Sequence, residues 1–132
     1  MMNKIRTGLI SRHTAFVYED VCRERMWDIN AKDYWPFHFS NIGRWWDGKN
    51  EIDIVAIDPE GNNLILGECK YWHEPVGVNI LRELEGKAGS VDWRKENRHV
   101  WYVLFSAVGF TEELKGVAAA RDDLLLFDEL DG

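Results

Sequence analysis

Cysteine is scarce in this chain: Cys22 and Cys69 are the only two in 132 residues. Two cysteines make no disulfide framework, which fits a reducing compartment. His73 follows Cys69 at a ligand-like spacing, but no second Cys/His pair lies nearby to complete the four ligands of a zinc site. Plain buried thiols are the simpler reading. No apolar run reaches the roughly 20 residues of a membrane span, and none has a signal-peptide layout. A soluble, cytoplasmic protein with no membrane contact is therefore expected. A Gly-x-x-x-x-Gly-Lys-Ser/Thr sequence is also missing, which excludes P-loop nucleotide hydrolysis by this chain alone. Without repeats, low-complexity segments or linkers, residues 1–132 read as a single domain, with 1–10 a loose start.

Positive charge is in short supply as well. The net charge is −7, which argues against a nonspecific nucleic-acid coat. Its distribution is uneven. Residues 1–50 carry eight Lys/Arg against six Asp/Glu, whereas 51–132 carry eight against seventeen. Any DNA contact would come from a local basic surface, including the first helix. A bound cation would offset the carboxylates at the centre.

What the chain does have is charge set inside apolar runs. Glu51-Ile-Asp-Ile-Val-Ala-Ile57 and Leu64-Ile-Leu-Gly-Glu-Cys-Lys70 each read as a buried strand. Asp53, Glu68 and Lys70 stand within them. Such residues are almost never buried unless they are paired or hold a metal. Strand alternation puts Glu68 and Lys70 on one face and Cys69 on the other. Around these runs the pattern predicts a helix from an Ser11 cap to about Trp27, a polar break at Asn30 to Asp33, and a strand over Phe37 to Trp46. Turns follow at 47–50 and 58–63, then a helix over Val78 to Ala88 and an apolar strand over His99 to Ser106. Thr111 caps a short helix, and Leu124 to Phe127 forms an edge strand. Strands apolar on both faces imply a central mixed sheet of at least four strands covered by helices on both sides.

Phosphodiester hydrolysis needs an activated water and a stabilised phosphate charge. Mg²⁺ or Mn²⁺ supplies both and prefers carboxylate oxygens. Asp53 and Glu68, on adjacent strands with side chains on the same side, are the natural ligands, and the main-chain carbonyl of Cys69 is a third. Lys70 then orients the water or stabilises the phosphate. The plainer alternative is a structural ion pair between Lys70 and a carboxylate. Glu19 lies in the middle of an apolar helix stripe with Cys22 and Met26, so it either faces this site or reaches water. Glu51 is either an accessory ligand or, preferably, the partner of a basic residue at the strand start. Lys87 interrupts the stripe of the second helix, where a lysine stem snorkels or reaches a phosphate. Trp45 and Trp46 alternate faces if extended, so at least one belongs to the core, with base stacking by the other a minority reading. The four histidines form no recognisable set.

Taken together, these segments resemble the PD-(D/E)xK, or restriction-endonuclease-like, superfamily. The core motif is similar to that of archaeal Holliday-junction resolvases. Ile42-Gly-Arg-Trp-Trp46, Glu51-Ile-Asp-Ile-Val55, Leu66-Gly-Glu-Cys-Lys-Tyr71 and Phe105-Ser through Gly109-Phe-Thr111 more closely resemble the nuclease-like C-terminal domain attached to archaeal P-loop ATPases. The resemblance implies a three-layer α/β fold and a Mg²⁺- or Mn²⁺-dependent DNA endonuclease, often dimeric, acting on branched or structured DNA. It implies Asp53, Glu68 and Lys70 in the metal and catalytic positions, and Glu19 as a first-helix acid. Ile52 stands where the motif has its proline, and the ATPase part is not in this chain. The competing expectation is a noncatalytic DNA- or partner-binding module of an ATPase system.

Overall fold

The apolar strands pair into one five-stranded sheet in the order β1-β2-β3-β4-β5. The structure is a computed structural model, and it describes residues 12–128, with side chains from Tyr18 onward. The Ser11 cap and the loose start at 1–10 lie outside the described residues. Helix α1 (Arg12–Ala31) leads into β1 (Asn41–Trp46), β2 (Glu51–Asp58) and β3 (Asn63–Lys70). Next come α2 (Val78–Lys87), β4 (His99–Ser106), α3 (Glu112–Ala119) and β5 (Leu124–Asp128). The first three strands form an antiparallel meander. β4 and β5 then add parallel to β3 and to one another, through the α2 and α3 crossovers. This mixed sheet has the predicted central strands, and β5 is the edge strand expected.

Two tight turns set the meander. Asp47 Oδ1 accepts the backbone N–H groups of Lys49 at 3.0 Å and Asn50 at 2.8 Å, and Gly48 takes a φ of 92° that a side chain would resist. At the second turn the buried Asp58 accepts from Asn63 Nδ2 at 2.9 Å. Asn63 Oδ1 in turn accepts from Trp101 Nε1 at 2.9 Å.

The sheet divides two cores. On one face Cys22, Met26 and Ile29 of α1 pack on Ile54, Ala56, Ile65, Cys69, Val103 and Phe105. On the other, Ile80, Leu81 and Leu84 of α2 and Leu114 of α3 pack on Ile52, Leu64, Leu66 and Leu104. Gly67 of β3 lies between Ile54 of β2 and Val103 of β4. A Cβ there would stand 2.7 Å from Val103 Cγ1 and 3.1 Å from Ile54 Cβ. Thr111 Oγ1 caps α3 by accepting from Leu114 N at 3.2 Å, with Glu112 and Glu113 in the first turn, where the helix dipole favours acids.

Two boundaries differ from the sequence expectation. α1 continues through the polar break to Ala31 because Asn30 is a buried clamp, not a stop. Its side chain donates to Phe39 O at 3.1 Å and accepts from Phe39 N at 3.0 Å. β1 starts at Asn41 rather than Phe37, since Phe37 and Phe39 turn onto Trp35 to build an aromatic cluster. α2 ends at Lys87 with Ala88 as its cap, as expected, and Ala88–Ser90 then tightens into a 3₁₀ turn. Among the described residues no helix is long and apolar enough to cross a membrane.

Candidate active site

The site lies where β2 and β3 part. Their paired register runs from Asp58↔Asn63 to Ile54↔Gly67 and stops there, while β3 stays paired with β4 as far as Lys70↔Ser106. On the other side of β2 the register with β1 steps from Gly43↔Val55 to Trp45↔Ile52. Two residues of β2, Asp53 and Ile54, therefore oppose one of β1, Arg44, which makes a β-bulge. A bulge re-aims side chains and locally ends pairing. Its effect is visible in the packing, with Ile54 in the α1 core and Ile52 in the α2 core. Strict alternation would put both on one face. Asp53 sits at the switch, so its relation to Glu68 comes from the bulge rather than from a shared face of regular strands.

Side chains take over the backbone groups that the parting strands release. Asp53 Oδ2 accepts the N–H of Cys69 at 2.9 Å. Arg23 Nη1 donates to the Asp53 carbonyl at 2.9 Å, and Lys87 Nζ donates to the Glu51 carbonyl at 2.7 Å. The result is a cleft of about 470 Å³ lined by Glu19, Glu51, Asp53, Glu68, Cys69, Lys70, Tyr71, Trp72 and Lys87.

Glu68 is the centre of this arrangement. It is only 5% exposed. Oε1 lies 3.7 Å from Lys70 Nζ and Oε2 lies 3.6 Å from Lys87 Nζ. Both are ion-pair distances, longer than hydrogen bonds. Among the described residues, Glu68 Oε2 and Trp35 Nε1 are the buried side-chain atoms with no hydrogen-bond partner. Burial first, then the Asp53 carboxylate, push the Glu68 carboxyl up to about 7, against the pull of Lys87 and Lys70. The two carboxyls are close enough to share a hydrogen bond, and Asp53 is itself 9% exposed.

Glu19 faces this cleft rather than open water. Burial, and secondarily Asp53, raise its pKa, while Arg44 and Arg23 pull it down. Glu51 also lines the cleft, but its exposed carboxylate pairs with Arg44 at 3.1 Å, the basic partner expected for it. The Cys69 side chain points away into the α1 core. Its thiol interacts with Cys22, which, together with burial, holds its pKa well up.

Sequence reasoning missed Arg23, Tyr71 and Trp72. Arg23 stands one helical turn from Glu19, an i,i+4 spacing that could have flagged it. Tyr71 and Trp72 directly follow the Glu-x-Lys strand. Lys87, left open between surface and site, belongs to the cleft.

Whether these groups suit a divalent cation can be tested on the donors. Among the described residues no group of three or more His, Cys, Asp or Glu side chains is arranged to hold a metal ion. Mg²⁺ does not need one: it is held by one or two carboxylates and keeps waters and substrate oxygens for the rest. A buried carboxylate with an unpartnered oxygen beside a second carboxylate fits that demand.

Fold and cleft together define a three-layer α/β domain with a carboxylate–lysine site at the open end of its central strands. The chain belongs to the family DUF234, archaeal and bacterial proteins of unknown function, whose model matches residues 1–87. It is 33% identical over 61 residues to the uncharacterized protein MJECL04 of Methanocaldococcus jannaschii. The match covers 46% of this chain and 14% of that much longer protein. Two solved structures show a partial structural likeness. A repair endonuclease from Pyrococcus abyssi has a TM-score of 0.43 at 15% identity, over 67% of this chain and 38% of that one. An EndoMS–double-stranded DNA complex has a TM-score of 0.45 at 12% identity, over 80% of this chain and 43% of that one. Likeness at this level does not bear on the reaction, which must be argued from the side chains.

Proposed function

We propose that this domain is a Mg²⁺- or Mn²⁺-dependent DNA endonuclease. The observation that carries the reading is Glu68. It is a buried carboxylate with an unpartnered oxygen, beside Asp53 and between two lysines, at the point where the central strands part. A purely structural role would leave that oxygen without a hydrogen bond in the core, at a cost of about 1–3 kcal/mol or more for a charged group. Asp53, Glu68 and the Cys69 carbonyl would hold the cation, which when bound supplies an acidified water and charge neutralisation at the phosphate.

The chain's own residues then have separable tasks. The Cys69 N–H fixes one oxygen of Asp53, leaving the other for the cleft. Lys70 stabilises negative charge on the reacting phosphate and is disposed to orient the attacking water. Lys87 holds the parted end of β2 through the Glu51 carbonyl and adds a second positive charge beside Glu68. Glu19 completes the acidic wall from α1. DNA as substrate, preferably branched or structured, is what the resemblance to the resolvase and ATPase-linked domains supports. A P-loop ATPase partner and a twofold dimer belong to the same proposal.

One observation favours a second reading. Lys70 and Lys87 flank Glu68 at ion-pair distances, and such a network would also serve a noncatalytic binding module. An assay on plasmid, single-stranded and branched DNA with Mn²⁺ or Mg²⁺ separates the two. Cleavage by the wild type that is lost in Asp53→Ala and Glu68→Ala supports the nuclease. A clean preparation that binds but leaves every substrate intact supports the module.

A further inference from the structure

Two aromatic side chains stand at the rim of the cleft, and the acid–lysine chemistry leaves them without a task. Tyr71 and Trp72 follow Lys70 directly, as β3 ends. They are 39% and 41% exposed, and both line the cleft. Each is supported from within the domain. The Tyr71 ring stacks at a tilt on Tyr18 of α1, with centroids 5.2 Å apart. Lys70 Nζ lies 5.1 Å from the centre of the Trp72 ring. Supported aromatics that keep open surface beside a phosphate site are suited to stacking on a base.

We propose that Tyr71 and Trp72 form a ledge that takes an unpaired DNA base next to the phosphate at Lys70. The domain then acts where a strand is single or splayed, not within continuous duplex. This rests on the nucleic-acid reading of the cleft and adds to it the substrate element and the residues that select it. Three physical points lead there. First, a duplex hides its base faces in its own stack, so a stacking ledge is useful only for an unpaired or extruded base. Second, duplex affinity comes mainly from many phosphate contacts. This chain has a net charge of −7, and its cleft sets Lys70 and Lys87 against four carboxylates. Binding strength must come largely from elsewhere. Third, about 470 Å³ falls in the range of small-molecule sites, a space for nucleotide-sized pieces rather than the side of a double helix.

The test compares equilibrium binding of fluorescein-labelled oligo(dT), a blunt duplex and a splayed duplex. It is done in Ca²⁺, with gels confirming that the DNA stays intact. Trp72→Ala should weaken binding to the single-stranded and splayed DNA by at least about fivefold, the low end of one base–aromatic stack. Duplex affinity should stay within about twofold in the same variant. Trp72→Phe should recover most of the loss, because it keeps a ring. Trp72→Leu should not, since it keeps apolar bulk without a π face. Trp46→Ala is the control, a 69% exposed tryptophan outside the cleft lining, and should change nothing. A 2-aminopurine placed at the splayed junction should be quenched by the wild type and not by Trp72→Leu. Equal losses on single-stranded and duplex DNA, or wild-type binding by Trp72→Leu, would overturn the ledge. The outcomes also separate it from the nuclease reading. Ring-dependent binding without cleavage in Mn²⁺ keeps the ledge and removes the nuclease. Metal-dependent cleavage indifferent to Trp72 does the reverse. No binding to any of the three DNAs up to about 100 µM, the weak end of nonspecific affinity, would remove both.

Discussion

The two ends of the β2–β3 pair use buried polar residues in opposite ways. At the turn end Asp58 and Asn63 bond one another, and Asn63 also accepts from Trp101. The ladder there is continuous. At the other end the ladder stops, and Glu68 keeps a buried oxygen without a hydrogen bond. The difference teaches that one end closes its buried polar groups on one another, while the other leaves a carboxylate oxygen in ion-pair contact alone. A satisfied pair specifies a turn, whereas a buried carboxylate oxygen left without a hydrogen bond costs stability that ion pairs at 3.6–3.7 Å offset only in part.

The sharpest way to break this comparison is to remove Lys70, where the largest effect is expected. If the open end is catalytic, Lys70→Ala should lower cleavage by at least about 10²-fold, the typical loss for one charge-stabilising group. Lys70→Met should match it while keeping side-chain volume. Thermal melts with and without Mg²⁺ should show that both variants still fold and still respond to the metal. Cleavage near the wild-type rate in both would place the chemistry elsewhere. In Asp58→Asn, at the turn end, cleavage per folded molecule should be unchanged.

Metal linkage is the next test. A cation that binds only the folded protein stabilises it by about 2.7 kcal/mol at a concentration of 100 times its Kd. Mg²⁺ or Mn²⁺ should therefore raise the wild-type Tm by several degrees. Asp53→Ala and Glu68→Ala should each abolish most of that rise. A full response in both variants would show that the carboxylates at the parted end are not the ligands.

The contrast between the ends was only partly legible in the sequence. The apolar runs around Asp53 and Glu68 gave the strands, and the Glu-x-Lys spacing correctly placed Lys70 beside Glu68. These readings needed only a period of two. The bulge at Asp53 and Ile54 was hidden, because it is a mismatch between strands and leaves no mark within β2. Asn30 looked like a helix breaker for a related reason: its bonds to Phe39 exist only after the chain has folded back. Lys87 is 17 residues beyond Lys70, and which way its stem leans depends on how α2 sits over β3. Short-range pattern thus located the acids, and tertiary geometry decided what each one meets.

Titration offers a smaller but direct measure of the unsatisfied end. Without metal, the Glu68 carboxyl sits at about 7 against an ordinary 4.5. The folded state therefore binds more protons than the unfolded state between those pH values, and stability should fall as pH rises through that window. The Glu68 contribution is fully present below about 4.5 and lost above about 7. A loss on the order of 1–3 kcal/mol is expected across it, discounted for the coupling to Asp53. Urea melts of Glu68→Gln should show a flatter profile over this range and greater apo stability than wild type at pH 8. A Glu68→Gln profile that still falls as steeply would mean that another group titrates.

The smallest expected effect marks where the unsatisfied region stops. Glu51 is in the cleft lining, yet its side chain is 62% exposed and paired with Arg44. Its backbone carbonyl, not its carboxylate, is what Lys87 engages. Exposed pairs of this kind contribute about 0.2–1 kcal/mol because water screens both charges. Glu51→Gln preserves the carbonyl and removes only the charge. It should cost less than about 1 kcal/mol and leave the Mg²⁺-induced Tm rise intact. Loss of that rise would move Glu51 into the metal set and extend the special chemistry of the parted end outward along β2. An unchanged rise confines it to Asp53 and Glu68, the two carboxylates that burial and proximity have already set apart.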